Sequence, residues 1–183
     1  MSERIFNAIE FAAKAHKGQY RKGTNIPYII HPIRVAKILI ESRCPEDVVV
    51  AGILHDTLED TSVTIDEIRE QFGDAVAAIV VSVSEPNKLD AWEIRKRFAI
   101  DSLKNAPNEV LLVACADHFD NIVEIEDAFG MIGDDVWLRF NRPKEQQGWY
   151  YKSLADIFSR RTDDERIQFL ATRLKYKVQK IFA

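Results

Sequence analysis

The sequence predicts an all-α fold, and three observations carry that expectation. Glycine and proline are scarce, 7 and 6 among 183 residues, too few for a barrel or sandwich with many tight turns. No segment alternates convincingly with the period of two that marks a half-buried strand. Apolar residues recur instead at helical spacing, behind recognisable start and stop signals.

Taken in order, Ser2 can cap a first helix through about His16, with Ile5, Ile9, Ala12 and Ala13 on one face. GQYRKGTNIPYIIHP reads as a loop, punctuated by two glycines and two prolines. Pro32 suits the first turn of a second helix, where its missing N–H would have had no partner, and Val35, Ala36, Ile38 and Leu39 form its buried side. VVVAGILHDTLED reads as a third, central helix, apolar until His55. Thr64 to Glu67 is a capping box, and Gly73 stops the helix it starts. Asp74 can cap a short helix through Ser82. SEPNKLD breaks it, and Asp90 can begin the next, AWEIRKRFAIDSL. Asn108 opens a long amphipathic helix that GMIGDD ends, and two more occupy roughly 145–160 and 163–181. Without a repeat, low-complexity tract or Ser/Gly linker, residues 1–183 are expected to form a single domain.

Hydrophobic residues make up 46% and charged residues 30%, an ordinary globular balance that excludes a disordered or fibrous chain. A net charge of −4 gives no reason to expect a nucleic-acid partner. The opening MSERIFNAIEF lacks the apolar core of a secretory signal, and runs such as AAIVVSV are too short to span a membrane. Cys44 and Cys115 lack paired spacing and read as small apolar residues in a reducing compartment. A cytoplasmic, soluble protein is expected, with a homo-oligomer left open. Charge is unevenly spread: residues 1–43 hold eight Lys/Arg against three Asp/Glu, while residues 44–90 hold two against eleven. Facing each other across a cleft, these halves suit an anionic ligand and a divalent cation; solvated faces of unlike sign are the alternative.

Four potential ligands lie in three separated segments: His31, the adjacent pair His55-Asp56, and Asp117. Imidazoles and carboxylates without cysteine favour Mn²⁺, with Fe²⁺ or Mg²⁺ behind it, over a closed structural zinc site. Such an ion keeps open positions, lowers the pKa of water that it binds and neutralises phosphate charge. Polar residues at the end of an apolar helix are costly to bury without partners, which favours a metal over incidental core residues. Glu59 and Asp60 follow His55 and Asp56 by four, one helical turn above, where a carboxylate can move a proton. Asp117, Asp120, Asn121 and Glu124 share one side of their helix, so the amide of Asn121 can meet a sugar hydroxyl or phosphate.

The order His31…His55-Asp56…Asp117 resembles the HD superfamily of phosphohydrolases. AHKGQYRKGTNIPYIIHPIRVAKIL, HDTLEDT, WEIRKRF and ADHFDN are similar to the hydrolase domain of RelA/SpoT proteins and to the small alarmone hydrolases, across most of residues 8–122. The resemblance implies an HD-domain helical bundle with one manganese site, cleaving pyrophosphate from the ribose 3′-oxygen of guanosine 3′,5′-bisdiphosphate to give GDP or GTP. It implies His31, His55, Asp56 and Asp117 as ligands and Glu59 with Asp60 as the acidic pair that activates and orients the attacking water. It places Arg21 and Lys22 beside the nucleotide, Lys22 helping the metal to offset developing charge, and Asn121 near ribose and phosphate. Arg95 and Lys96 match a basic pair, for which a solvated helix face is an equally good reading. Tyr151 matches a base or ribose contact, with a core tyrosine as the alternative.

The departures are as informative. Relatives place a basic residue, Leu, and His or Tyr where this chain has His118-Phe119-Asp120. His118 turns a fixed charge into a pH-sensitive one, and Asp120 adds negative charge beside an anionic substrate unless turned away or paired. The similarity fades after residue 125, so the helices over 145–181 are less constrained. No synthetase or regulatory domain is expected to follow, so the chain should hydrolyse alarmone and not make it. An adenosine alarmone, an NADPH-type phosphate or a non-catalytic nucleotide sensor with an antitoxin-like role are the competing functions. A sensor would be expected to lose a ligand or an acidic residue, and all six remain.

Overall fold

The computed structural model describes residues 2–85 and 87–183, and the described residues contain helices and no strand. In chain order these are α1 (Glu3–Ala15), α2 (Ile30–Glu41), α3 (Glu46–Leu54), α4 (Thr57–Asp60), α5 (Ile65–Phe72), α6 (Asp74–Val83), α7 (Trp92–Lys104), α8 (Asn108–Ile132), a 3-10 turn (Gly133–Arg139), α9 (Lys144–Ser159) and α10 (Glu165–Ile181). None is long and apolar enough to cross a membrane.

The core is built around α3, whose residues from Val48 to Leu54 are all buried. α2 lies so close to it that a Cβ on Gly52 would collide with Leu39 and sit 3.3 Å from Val35 Cγ1. That approach brings the first turn of α2, with His31, towards the end of α3, with His55. Val110 to Ala116 of α8 are buried in the same core, and α9 and α10 pack on α8 through Leu154, Phe158, Leu170 and Leu174. Burial of each such side chain contributes roughly 1.5–3 kcal/mol, enough to hold polar groups in place at the core's edge.

Several start signals act as expected. Ser2 Oγ accepts from the Ile5 N–H, and both halves of the capping box form between Thr64 and Glu67. The expected single helix through VVVAGILHDTLED is instead two, α3 and α4, with a break at His55-Asp56. The cause is local. His55 Nδ1 donates to the Gly52 carbonyl at 2.8 Å and Thr57 Oγ1 to the Leu54 carbonyl at 2.7 Å, so side chains take acceptors that the backbone ladder would use. Asp90 and Asp74 also depart from expectation. Asp90 pairs with Asn87 Nδ2 at 3.0 Å, leaving Ala91 before α7, and Asp74 lies inside the first turn of α6 with Gly73 at the capping position. Gly73 has φ +88°, a conformation that favours glycine. α8 runs past Gly130 and stops at Gly133.

Candidate active site

α2, the α3–α4 break and α8 converge on one point. His31 Nε2 lies 3.0 Å from Asp117 Oδ1 and 3.7 Å from Asp56 Oδ2. His55 Nε2 lies 3.0 Å from Asp56 Oδ2 and 3.6 Å from Asp117 Oδ1. One ligand atom each from His31, His55 and Asp117 can be chosen so that all lie within 4.8 Å of one another. Asp56 adds a carboxylate against both imidazoles, held by the Tyr28 hydroxyl at 2.6 Å.

This cluster fits a divalent cation on the chemistry of its donors. The Gly52 carbonyl can only accept, so His55 Nδ1 carries the proton and its Nε2 is a lone pair. His31 Nδ1 likewise donates to Asp120 Oδ2 at 2.8 Å, leaving Nε2 unprotonated. Two lone pairs therefore point at two carboxylates, and His55 Nε2 is buried with no hydrogen-bond partner. Only protonation or a cation resolves that conflict. Without a cation, burial works to lower the His55 pKa, but Asp56 and Asp117 hold it well above the usual imidazole range. His31 is raised in the same way by Asp117 and Asp120 against burial. Asp117 is correspondingly well below the ordinary carboxylate range: burial opposes this, and His118, His31 and His55 outweigh it.

The cluster lines an inner cavity of about 270 Å³ together with Glu59. Glu59 accepts from the Glu85 backbone N–H at 3.0 Å, yet burial and the charges of Glu85, Asp56 and Asp60 raise its pKa. Asp60 is turned aside: it accepts from Tyr28 at 3.3 Å and pairs with Lys88, while Gln19 Nε2 holds its backbone carbonyl at 2.8 Å. Lys88 is also 3.7 Å from Glu59.

An outer cavity of about 400 Å³ adjoins, sharing Arg21, Tyr28, Lys96, His118, Asn121 and Tyr150 with the inner one. Arg21 donates to Asn121 Oδ1 at 2.6 Å and to Glu124 at 3.0 Å, with its guanidinium 5.3 Å from the centre of the Tyr28 ring. Asn121 Nδ2 donates in turn to Asp117 Oδ1 at 2.6 Å. Lys22 does not line the inner cavity; its ammonium meets Asn141 Oδ1 at 3.2 Å in the outer one. Arg95 and Lys96 are not a solvated face, because both pair with the half-buried Glu85, at 3.1 and 2.7 Å. Tyr151 lines the outer cavity and stacks on Phe182 with ring centres 5.8 Å apart. His118 is packed between Asp117 and Tyr150, and burial lowers its pKa despite the carboxylate. Burial thus disfavours the charged form of the ring at the position where the sequence suggests a pH-sensitive charge.

The HD domain family matches residues 8–129. The chain belongs to that family. Human guanosine-3′,5′-bis(diphosphate) 3′-pyrophosphohydrolase MESH1 is 38% identical over 124 residues, 66% of this chain and 69% of the human one. An Aquifex aeolicus protein of the same enzymatic name is 38% identical over 125 residues, and the match spans only 18% of that longer protein. Among solved structures, lmo0812 of Listeria monocytogenes superposes with a TM-score of 0.78 at 36% identity, covering 83% of this chain and 98% of its own. A metazoan ortholog of SpoT described as hydrolysing ppGpp gives 0.75 at 25% identity, covering 100% and 95%.

This HD domain thus gathers His31, His55, Asp56, Asp117 and Glu59 around one cavity, while Asp60 and Lys22 stand back from it. One participant escapes a reading of the sequence, and another shows in it only as a departure. Lys88 lies in the segment that reads only as a helix breaker, and its pairing with the acidic residues depends on how the chain returns after α6. Asp120 was legible as an anomaly, a negative charge beside an expected anionic substrate, and its partner is His31. A carboxylate accepting from a ligand imidazole fixes the tautomer and makes the other nitrogen a better donor.

Proposed function

We propose that this chain is a metal-dependent 3′-pyrophosphohydrolase of guanosine 3′,5′-bis(diphosphate)-type nucleotides, preferring manganese and acting as one unit of 183 residues. The observation that carries the reading is the junction of two unlike cavities. One ends in convergent imidazoles and carboxylates with an orphaned His55 Nε2, and the other is a nucleoside-sized space with aromatic and cationic walls. The similarity to MESH1 and to the metazoan SpoT ortholog supports the substrate class. Ligands without a thiolate support manganese over structural zinc, and Gln147, Tyr150 and Tyr151 of α9 complete the outer cavity, which supports one unit.

His31, His55, Asp56 and Asp117 would hold the ion. A divalent ion there supplies Lewis-acidic charge to phosphate oxygens and to water. Glu59, kept partly desolvated and above the usual carboxylate range, takes the proton of the attacking water. The water oxygen bonds to the phosphorus on the ribose 3′-oxygen, the bond to that oxygen breaks, and the proton is returned to it, so pyrophosphate and a 3′-hydroxyl result. Lys88 and the Glu85 N–H fix the direction of Glu59, and Asp60 with Tyr28 fixes Lys88 and Asp56. Arg21, braced by Glu124, and Asn121 line the passage between the cavities, where ribose and base would pass.

The test is product analysis with guanosine and adenosine 3′,5′-bisdiphosphates, NADPH and a simple nucleoside monophosphate, with Mn²⁺ and after chelation. Pyrophosphate from a guanosine alarmone, abolished by chelation, is expected. Phosphate from NADPH or the monophosphate instead overturns the substrate, and no turnover of any overturns the activity.

A further inference from the structure

Five cations line the outer cavity, and they are not equivalent. Arg21 is neutralised by Glu124, and Arg95 and Lys96 share Glu85. Lys22 and Arg139 have no carboxylate: among the described residues the Lys22 ammonium has only the neutral Asn141 amide as a hydrogen-bond partner, and the Arg139 side chain makes no hydrogen bond or ion pair. They are neighbours. Gly23, with φ +71°, lets the loop after Lys22 lie against the Arg139 stem, where a Cβ would sit 2.9 Å from Arg139 Cγ and 3.4 Å from Nε. Asn141, which the Lys22 ammonium meets, and Phe140, whose ring centre lies 6.0 Å from it, follow Arg139 directly. Neither cation borders the inner cavity. Arg139 also lies in the 3-10 turn, beyond residues 8–129 of the family match.

We infer that Lys22 and Arg139 form an anion subsite that receives the 5′-phosphates of a nucleotide whose 3′ end is at the inner cavity. The inference rests on the orientation given under the proposed function and adds a second point of recognition to it. The cations that touch no carboxylate lie away from the reacting phosphorus, and a ligand with anionic groups at both ends of its ribose meets both ends. An unpaired guanidinium offers a fork of N–H donors matched to phosphate oxygens, and the ammonium adds a point charge. The other three cations are each held by a carboxylate, Arg21 by Glu124 and both Arg95 and Lys96 by Glu85, so their donors are already engaged in the walls. The subsite therefore selects a nucleoside with a 5′-diphosphate over the same nucleoside with a 5′-hydroxyl.

Binding of products and their dephosphorylated forms isolates this subsite from catalysis. Calorimetric titration of GDP and guanosine, and in parallel ADP and adenosine, is made with the whole chain, Arg139→Gln, Lys22→Gln and Arg139→Lys. The diphosphate of at least one pair is expected to bind tighter than its nucleoside. Each Gln variant should weaken the diphosphate roughly tenfold, the scale of one charge-assisted contact, and leave the nucleoside unchanged. Arg139→Lys, which keeps the charge but not the fork, should weaken the diphosphate less than Arg139→Gln does. Equal affinity for diphosphate and nucleoside, equal weakening of both by Arg139→Gln, or no binding of either pair overturns the subsite. Absence of hydrolysis with intact GDP discrimination would instead overturn the activity and leave the subsite standing.

Discussion

The two ends of the cleft are built on opposite plans. At the inner end the polar atoms are buried, few and mutually constrained, each imidazole fixed by a partner on its other nitrogen and each carboxylate aimed at a lone pair. The outer end is wider, and its cations are mostly balanced by acids or left facing solvent. A buried cluster of acceptors is costly unless a cation compensates it, so an error of one group there is expensive. A screened, roomy cavity tolerates change, because water can replace a lost contact. The inner end should govern whether the reaction occurs, and the outer end how well a given nucleotide is held.

The largest separation between the ends is expected from Glu59→Gln. A positioned general base contributes roughly 10²–10⁴-fold, so kcat should fall by about that much, while manganese affinity, measured by chelator competition, stays within about threefold. Glu59 acts deprotonated and burial raises its pKa, so activity is lost as pH falls through a value above the ordinary glutamate range. That acid limb of kcat/KM should be missing from the residual activity of the variant. Equal kcat in the variant would remove Glu59 from the chemistry. A smaller effect is expected from Asp120→Asn, which keeps the shape but weakens the acceptor for His31. Loss of such an outer partner typically costs 10–100-fold in metal affinity. Unchanged manganese affinity would reduce Asp120 to a packing residue, and a lost thermal transition in the metal-free protein would show a folding defect instead.

The same contrast explains what the sequence could reveal. Helices α1, α5 and α10 are legible because caps and apolar periodicity are local properties, and α8 and α9 through periodicity alone. The break at His55-Asp56 is not, since it depends on side chains taking the Gly52 and Leu54 carbonyls. The inner residues are legible because burying His and Asp beside an apolar run demands a reason. Around the outer cavity, Arg95 and Lys96 read equally well as a nucleotide-facing basic pair and as a solvated face, and only α7 turns them onto Glu85, while Arg139 lies past the point where the resemblance fades. Whether a cation is neutralised or free is decided by tertiary neighbours, and no spacing rule encodes it.

Tyr151 gives the smallest and most pointed test of the outer plan. Its ring is buried against Phe182 and faces His118 at 6.2 Å, burial drives its phenol pKa up, and no hydrogen bond from its hydroxyl is found among the described residues. If the ring acts as a wall, Tyr151→Phe keeps the wall and removes only a hydroxyl. KM should then change by less than about threefold, with kcat and metal affinity unaltered, because replacing an unpaired hydroxyl by hydrogen is close to neutral. If the hydroxyl bonds the ribose or base, KM should rise roughly tenfold at constant kcat. That second outcome would mean the outer cavity holds at least one contact as exacting as those at the metal end, and the division between a strict inner end and a tolerant outer one would have to be drawn elsewhere.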